Sequence, residues 1–140
     1  MRSRVRPSLV AALALVFLAS CNDDLDVLGP TPTDEGIIFY IHANFAGSSQ
    51  QINADVTNLG SVEGPCVVSD GESSTATWDD CISSVHVLPG WSATLYKDRD
   101  YRGSSMTITE DVLDLKAVNG SCDGSFNDCV SSIRVMRRSP

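Results

Sequence analysis

The 140-residue chain is 42% hydrophobic and 20% charged, with ten Lys and Arg against eighteen Asp and Glu and a formal net charge of −8. That length suits a single domain, and the ordinary apolar fraction argues against global disorder. The acidic excess lacks the clustered cations that gripping nucleic acid requires, and beyond the N-terminus there is no apolar run of about eighteen residues to cross a membrane. Five cysteines in so short a chain point to an oxidising compartment.

Arg2, Arg4 and Arg6 precede an apolar run from Leu9 to Ala19, too short for a spanning helix. Basic, then apolar, then small is the layout of a removable export signal, predicted over 1–20. Its end, Leu18-Ala19-Ser20-Cys21, resembles a bacterial lipoprotein signal. That resemblance implies cleavage before Cys21 and acylation of its thiol and new amine. The protein would then sit in a bacterial cell envelope, lipid-anchored to the outer membrane, facing the periplasm or the surface. A plain secretory cut near Ala19 is the alternative. Cleavage removes three arginines and leaves seven basic residues against eighteen acids, a formal charge of −11. Residues 21–35, with four aspartates, one glutamate and two prolines, read as an acidic tether. The folded domain is expected over 36–137.

Within that domain the chain repeats itself. Tyr40-Ile-His-Ala-Asn-Phe45-Ala-Gly47 matches Tyr96-Lys-Asp-Arg-Asp-Tyr101-Arg-Gly103, an offset of 56. Trp78-Asp-Asp-Cys-Ile-Ser-Ser-Val matches Phe126-Asn-Asp-Cys-Val-Ser-Ser-Ile, an offset of 48. Motif one therefore spans 37–88 and motif two 91–137, with Pro89-Gly90 as connector. Cys66 and Cys122 keep the first offset whereas Cys81 and Cys129 keep the second, so the length change lies between the two cysteines of each copy. With Cys21 assigned to lipid, four cysteines remain for two disulfides. A loop that changes length while keeping a cysteine at each end favours Cys66–Cys81 and Cys122–Cys129 among the three possible connectivities. Closing a loop of about fifteen residues contributes roughly 3 kcal/mol in the chain-entropy account.

In chain order the predicted strands are Ile37–Ile41, Val85–Val87, Ala93–Tyr96, Met106–Thr109 and Ile133–Val135, short and rich in β-branched or aromatic residues. Gly47 and Gly103 stand where the chain reverses. Helical periodicity is missing, apart from room for one turn within Asp111–Val118. Two four-stranded units, each too small to bury a face alone, are expected to pack as a sandwich.

These residues resemble the βγ-crystallin superfamily, whose Greek-key motif carries an aromatic, four residues, an aromatic, one residue and glycine. Its microbial members add a calcium signature of two Asn/Asp, two free positions, Ser/Thr and Ser. Asp79–Ser84 and Asn127–Ser132 fit all six positions. The resemblance implies an all-β fold, a βγ-crystallin-like sandwich of two Greek-key motifs, and two Ca2+ ions per domain. It assigns Asp79 and Asn127 to the first acidic position. Asp80, Asp128, Ser83 and Ser131 would give side-chain oxygens, and Cys81 and Cys129 their backbone carbonyls. The first hairpin of the opposite motif would complete each site, through the carbonyl of Ala43 for the Asn127–Ser132 loop and of Arg99 for the Asp79–Ser84 loop. The chemistry agrees, because calcium takes six to eight hard oxygens from carboxylates, hydroxyls, carbonyls and water. Turn formation alone also uses Asp, Asn and Ser in such places.

Catalytic patterns are missing. His42 and His86 are the only histidines and occupy non-equivalent places, no Gly-x-Ser-x-Gly occurs, and the Cys and His spacings form no zinc site. The expectation is a non-enzymatic, lipid-anchored calcium-binding domain with no nucleic-acid partner. The rival is a proteinase inhibitor of similar fold, presenting the disulfide-bounded insert Val67–Asp80 to a protease. Sugar stacking on Trp91 is a third, weaker reading.

Overall fold

The computed structural model describes residues 33–69 and 74–139. The expected export signal over 1–20, the lipidation site expected at Cys21 and most of the expected tether lie outside the described residues. Among the described residues nine strands run in chain order: β1 Ile37–His42, β2 Ala46–Ile52, β3 Glu63–Ser69, β4 Ser74–Thr77, β5 Ser84–Val87, β6 Trp91–Asp98, β7 Arg102–Ile108, β8 Asn119–Cys122 and β9 Ser132–Arg137. The chain is all-β, with two three-stranded antiparallel sheets, β2-β1-β5 and β7-β6-β9, and a separate hairpin, β3-β4.

The sheets are images of one another under the sequence repeat. β1 alternates fully buried Ile37 and Phe39 with half-buried Ile38 and Tyr40, as a period of two requires when one face meets a core. In β6, Ala93 and Leu95 do the same. Phe39, Val85, Leu95 and Ile133 join Leu59 and Leu115 in one core cluster. The last two project from short 3-10 turns at Leu59–Ser61 and Leu115–Ala117, where Asn58 and Asp114 accept from the turn's backbone amides. The second turn falls within the stretch where one was expected; its counterpart, carried by Asn58-Leu59-Gly60, escaped sequence reading.

The sheets are not the self-contained four-stranded units that the repeat suggested. Each takes its fourth segment from the other motif: Val56 bridges to Ile133, and Val112 to Val85. Backbone bonds of 2.8–2.9 Å run both ways across each bridge. This exchange satisfies the free edges of β5 and β9, which would otherwise leave buried amides and carbonyls without partners.

Cys66 is bonded to Cys81 and Cys122 to Cys129, with Cα atoms 6.1 Å apart in both. The longer of these loops carries the β3-β4 hairpin, so the insert is itself strand rather than a plain loop. Trp78 and Phe126, equivalent in the repeat, are 2% and 3% exposed, and Trp78 meets Phe39 edge-on at 4.8 Å. Trp91 is 8% exposed at the head of β6, which removes the sugar-stacking reading. Glu35, the last tether residue, is fixed by Arg137 at 2.7 Å and by Gln51, which donates to its carbonyl.

Gly64 and Gly120, also equivalent, let the backbone lie against Trp78 and Phe126. A Cβ on Gly64 would meet the Thr77 backbone and the indole at 2.6 Å, and one on Gly120 would collide with the Ser125 backbone. Backbone cannot swing aside as a side-chain tip can. Gly64→Ala and Gly120→Ala are therefore expected to lose about 1–3 kcal/mol each as overpacked sites. Gly90→Ala is the control, with open space around it and only its positive φ to resist, at about 1 kcal/mol. Urea midpoints at constant slope measure the difference.

Candidate metal centre

Asp79–Ser84 and Asn127–Ser132 each lead from a buried aromatic into the last strand of a motif. In both, the second acidic residue adopts a left-handed backbone, φ 51° at Asp80 and 50° at Asp128. Asp and Asn tolerate this region better than other side-chain-bearing residues, so the residue type suits the turn before any ligand is considered. The turned amides reach across the repeat: Asp80 N–H donates to Val130 O and Asp128 N–H to Ile82 O, both at 3.1 Å. The two loops are thereby locked to each other.

The two serines that close each loop do different work. Ser84 Oγ donates to His42 O at 2.6 Å and accepts from Phe45 N–H at 3.1 Å. Ser132 repeats this with Asp98 O at 2.6 Å and Tyr101 N–H at 3.0 Å. Both serines are fully buried and pin the first hairpin of their own motif. The preceding serines look the other way. Ser83 Oγ lies 2.9 Å from Ile41 O and 3.2 Å from Asp128 Oδ1, and Ser131 Oγ lies 3.4 Å from Asp80 Oδ1. Sequence reading grouped each acid with the serine of its own loop; the folded chain sets it beside the serine of the other.

Of the residues singled out in the sequence, Ala43, Asp80, Cys81, Ser83, Asn127 and Asp128 line one open cleft, joined by Asp114 and Lys116. Asp79, Arg99, Cys129 and Ser131 are not part of that lining. Asp79 Oδ2 instead takes a hydrogen bond from Arg99 Nη2 at 2.9 Å, while its Oδ1 is buried without a partner. Cys81 and Cys129 are both 2% exposed, with their sulfurs in disulfides. The roles of Ser84, Ser132 and Asp114 were missed; the signal available for the first two was the doubled Ser-Ser present in both copies.

Protons are scarce in this cluster. Ser83 has one hydroxyl proton for two acceptors, and Asp79 Oδ1 has none. Burial pushes the Asp80 carboxyl above its ordinary value, and the neighbouring Asp79 charge adds to this; the Ser131 hydroxyl and Arg99 pull the other way. Among the described residues no set of three or more His, Cys, Asp or Glu side chains is arranged to hold a metal. A cation here would rest on one carboxylate per pair with hydroxyl and carbonyl oxygens. That hard, mixed oxygen set fits calcium and excludes a zinc-type site.

The sequence model of peptidase inhibitor family I36 matches residues 39–108. Spherulin-3A of Physarum polycephalum is 30% identical over 106 residues, covering 74% of this chain and 84% of that protein. A βγ-crystallin domain from Flavobacterium johnsoniae is 27% identical with a TM-score of 0.53, over 74% of this chain and 97% of its own. A domain solved in work on the evolution of the eye-lens βγ-crystallin fold is 26% identical with a TM-score of 0.57, over 80% and 95% of the two chains.

The division of labour between paired serines is testable by stability alone. Ser84→Ala and Ser132→Ala each remove two part-buried hydrogen bonds, and should cost about 1–3 kcal/mol in urea unfolding. Ser83→Ala and Ser131→Ala should cost clearly less in the metal-free chain.

Proposed function

The chain belongs to the βγ-crystallin superfamily, and from that premise we propose that it is a non-enzymatic calcium-binding domain held at a membrane by a lipid on Cys21. The supporting observation is the crosswise pairing of Ser83 with Asp128 and of Ser131 with Asp80, which gathers oxygen from both motifs at each position. Each pair, with nearby backbone carbonyls, would hold one Ca2+. The bound ion supplies charge neutralisation and a link between motifs; the acids and serines supply the oxygens, and the left-handed turns at Asp80 and Asp128 aim them. Stabilisation then follows from mass action, about 2.7 kcal/mol at a hundredfold excess over Kd. The similarity to βγ-crystallin domains and to a peptidase inhibitor family agrees with a non-enzymatic reading.

Asp80 separates a functional residue from a structural one. A carboxyl whose folded pKa is raised binds its proton more readily in the folded chain than in the unfolded one. Its ionisation therefore works against the metal-free fold, and this loss grows as pH rises through and above the ordinary carboxylate range. Asp80→Asn keeps a side chain suited to the left-handed turn and removes the charge. It should raise the metal-free urea midpoint while weakening calcium binding by about tenfold or more.

The direct test is calorimetric titration of the oxidised full-length chain with calcium, repeated with Asp80→Ala and Asp128→Ala. Two equivalents of binding, one lost in each variant, are expected. No heat, together with an unchanged melting temperature in millimolar calcium, would defeat the proposal.

A second reading is favoured by the match to peptidase inhibitor family I36, which takes in the β3-β4 hairpin. That hairpin pairs with neither large sheet, is tied at its base by Cys66–Cys81, and exposes 64% of Val67. A bridge-anchored hairpin is the form of a rigid inhibitory loop. Stoichiometric inhibition of a member of a protease panel, lost on Val67→Asp, would support it.

A further inference from the structure

Because the halves are copies, equivalent positions that differ in charge reveal where the two oxygen pairs have become unequal. Ala43, Asn127 and Lys116 line the cleft with Asp128 and Ser83; their equivalents in the repeat are Arg99, Asp79 and Gly60. Arg99 Nη2 donates to Asp79 Oδ2 at 2.9 Å. Gly60 makes room for this arm, since a Cβ there would lie 3.0 Å from the same nitrogen and 3.3 Å from Asp79 Oδ2. The seat thus has three parts, an arm, an acid and a clearance, and the other half has none of them. Ala43 offers only a methyl, Asn127 is neutral, and Lys116 forms no ion pair among the described residues.

We propose that Arg99 is a resident cation of the first loop, so that the two sites bind calcium unequally: the Asp128–Ser83 pair fills first, and the Asp80–Ser131 pair fills only against the guanidinium. This rests on the calcium reading above and concerns how the chain's own residues tune it. A fixed positive charge opposes an incoming divalent ion, and it also engages Asp79, leaving Asp80, which holds the Ser131 hydroxyl, as the carboxylate of its loop that forms no ion pair among the described residues. The other oxygen of Asp79 is buried without a donor among the described residues, so that side chain loses its one partner there if Arg99 departs. Arg99 is 58% exposed, so the opposition is partly screened and weakens as salt rises.

Calorimetry of the oxidised full-length chain with calcium chloride should give two phases separated by about tenfold or more in affinity. Ser83→Ala should remove the tight phase and Ser131→Ala the weak one. Arg99→Ala and Arg99→Gln should tighten the weak phase by about tenfold and lower the melting temperature of the metal-free chain. Grafting the seat onto the other half, with Ala43→Arg, Lys116→Gly and Asn127→Asp together, should weaken the tight phase, a result that does not depend on the Arg99 variants folding. Two equal sites in the unmodified chain, or a weak phase unmoved by both Arg99 substitutions, overturns the resident cation while leaving calcium binding intact. Heat missing from every variant removes calcium binding itself, and this inference with it.

Discussion

Two amide hydrogen bonds, Asp80 N–H to Val130 O and Asp128 N–H to Ile82 O, hold the centre of the molecule, and most of the remaining structure follows from their crossing the repeat. Ile82 and Val130 are fully buried, so their carbonyls need partners, and water cannot supply them. Each carbonyl finds its partner only in the other motif. The same reciprocity continues outward: Leu59 N–H meets Ser131 O, Leu115 N–H meets Ser83 O, Asn44 N–H meets Leu113 O, and Asp100 N–H meets Thr57 O. A motif folded alone would lose all of these bonds, each contributing about 0.5–1.5 kcal/mol net. The duplication is therefore one cooperative unit, and its paired loops are brought together by backbone, before any ligand enters.

Local strain is placed where that unit is stiffest. Phe45 and Tyr101 hold φ near 59°, which side-chain-bearing residues avoid at about 1–3 kcal/mol. They persist because buried Ser84 and Ser132 take their amides, and because their rings pack on Tyr40 at 5.4 Å and Tyr96 at 5.7 Å. The aromatic pair and the glycine two residues later are parts of one folded hairpin corner. That corner fixes Ile41 O, the carbonyl that holds Ser83 beside Asp128. Packing in the hairpin thus sets the position of an oxygen in the cleft.

Much of this could be read from the chain because a repeat carries its own alignment. The offsets of 56 and 48 located both motifs and the cysteine loops, since covalent and turn constraints act locally and leave spaced residues behind. What escaped reading is non-local. Nothing in Val56 or Val112 announces that each lends its edge to the other motif's sheet. Nothing in Asp80-Cys-Ile-Ser83 says that the acid will face a serine 51 residues away. Gly64 and Gly120 belong to the same class, because the need for a missing side chain appears only once an aromatic ring lies against the backbone. The Arg99 arm needed three positions compared at once, and only the fold says that they meet.

The disulfides and a bound cation would restrain different things, which bears on why a chain with cysteine in both loops would keep oxygen pairs at all. Each bridge joins residues of one motif, 15 and 7 positions apart, and chiefly reduces the freedom of the unfolded chain. It fixes the loop containing Cys81 or Cys129 without tying one motif to the other. The crosswise pairs act between motifs, where Asp80 meets Ser131 and Asp128 meets Ser83. Sulfur therefore cannot replace what a cation would do there. By holding each loop in shape beforehand, it lowers the ordering that a cation would otherwise have to impose. In an oxidising compartment the two restraints are complementary, and reducing the bridges should loosen the loops first and the interface between motifs only through them.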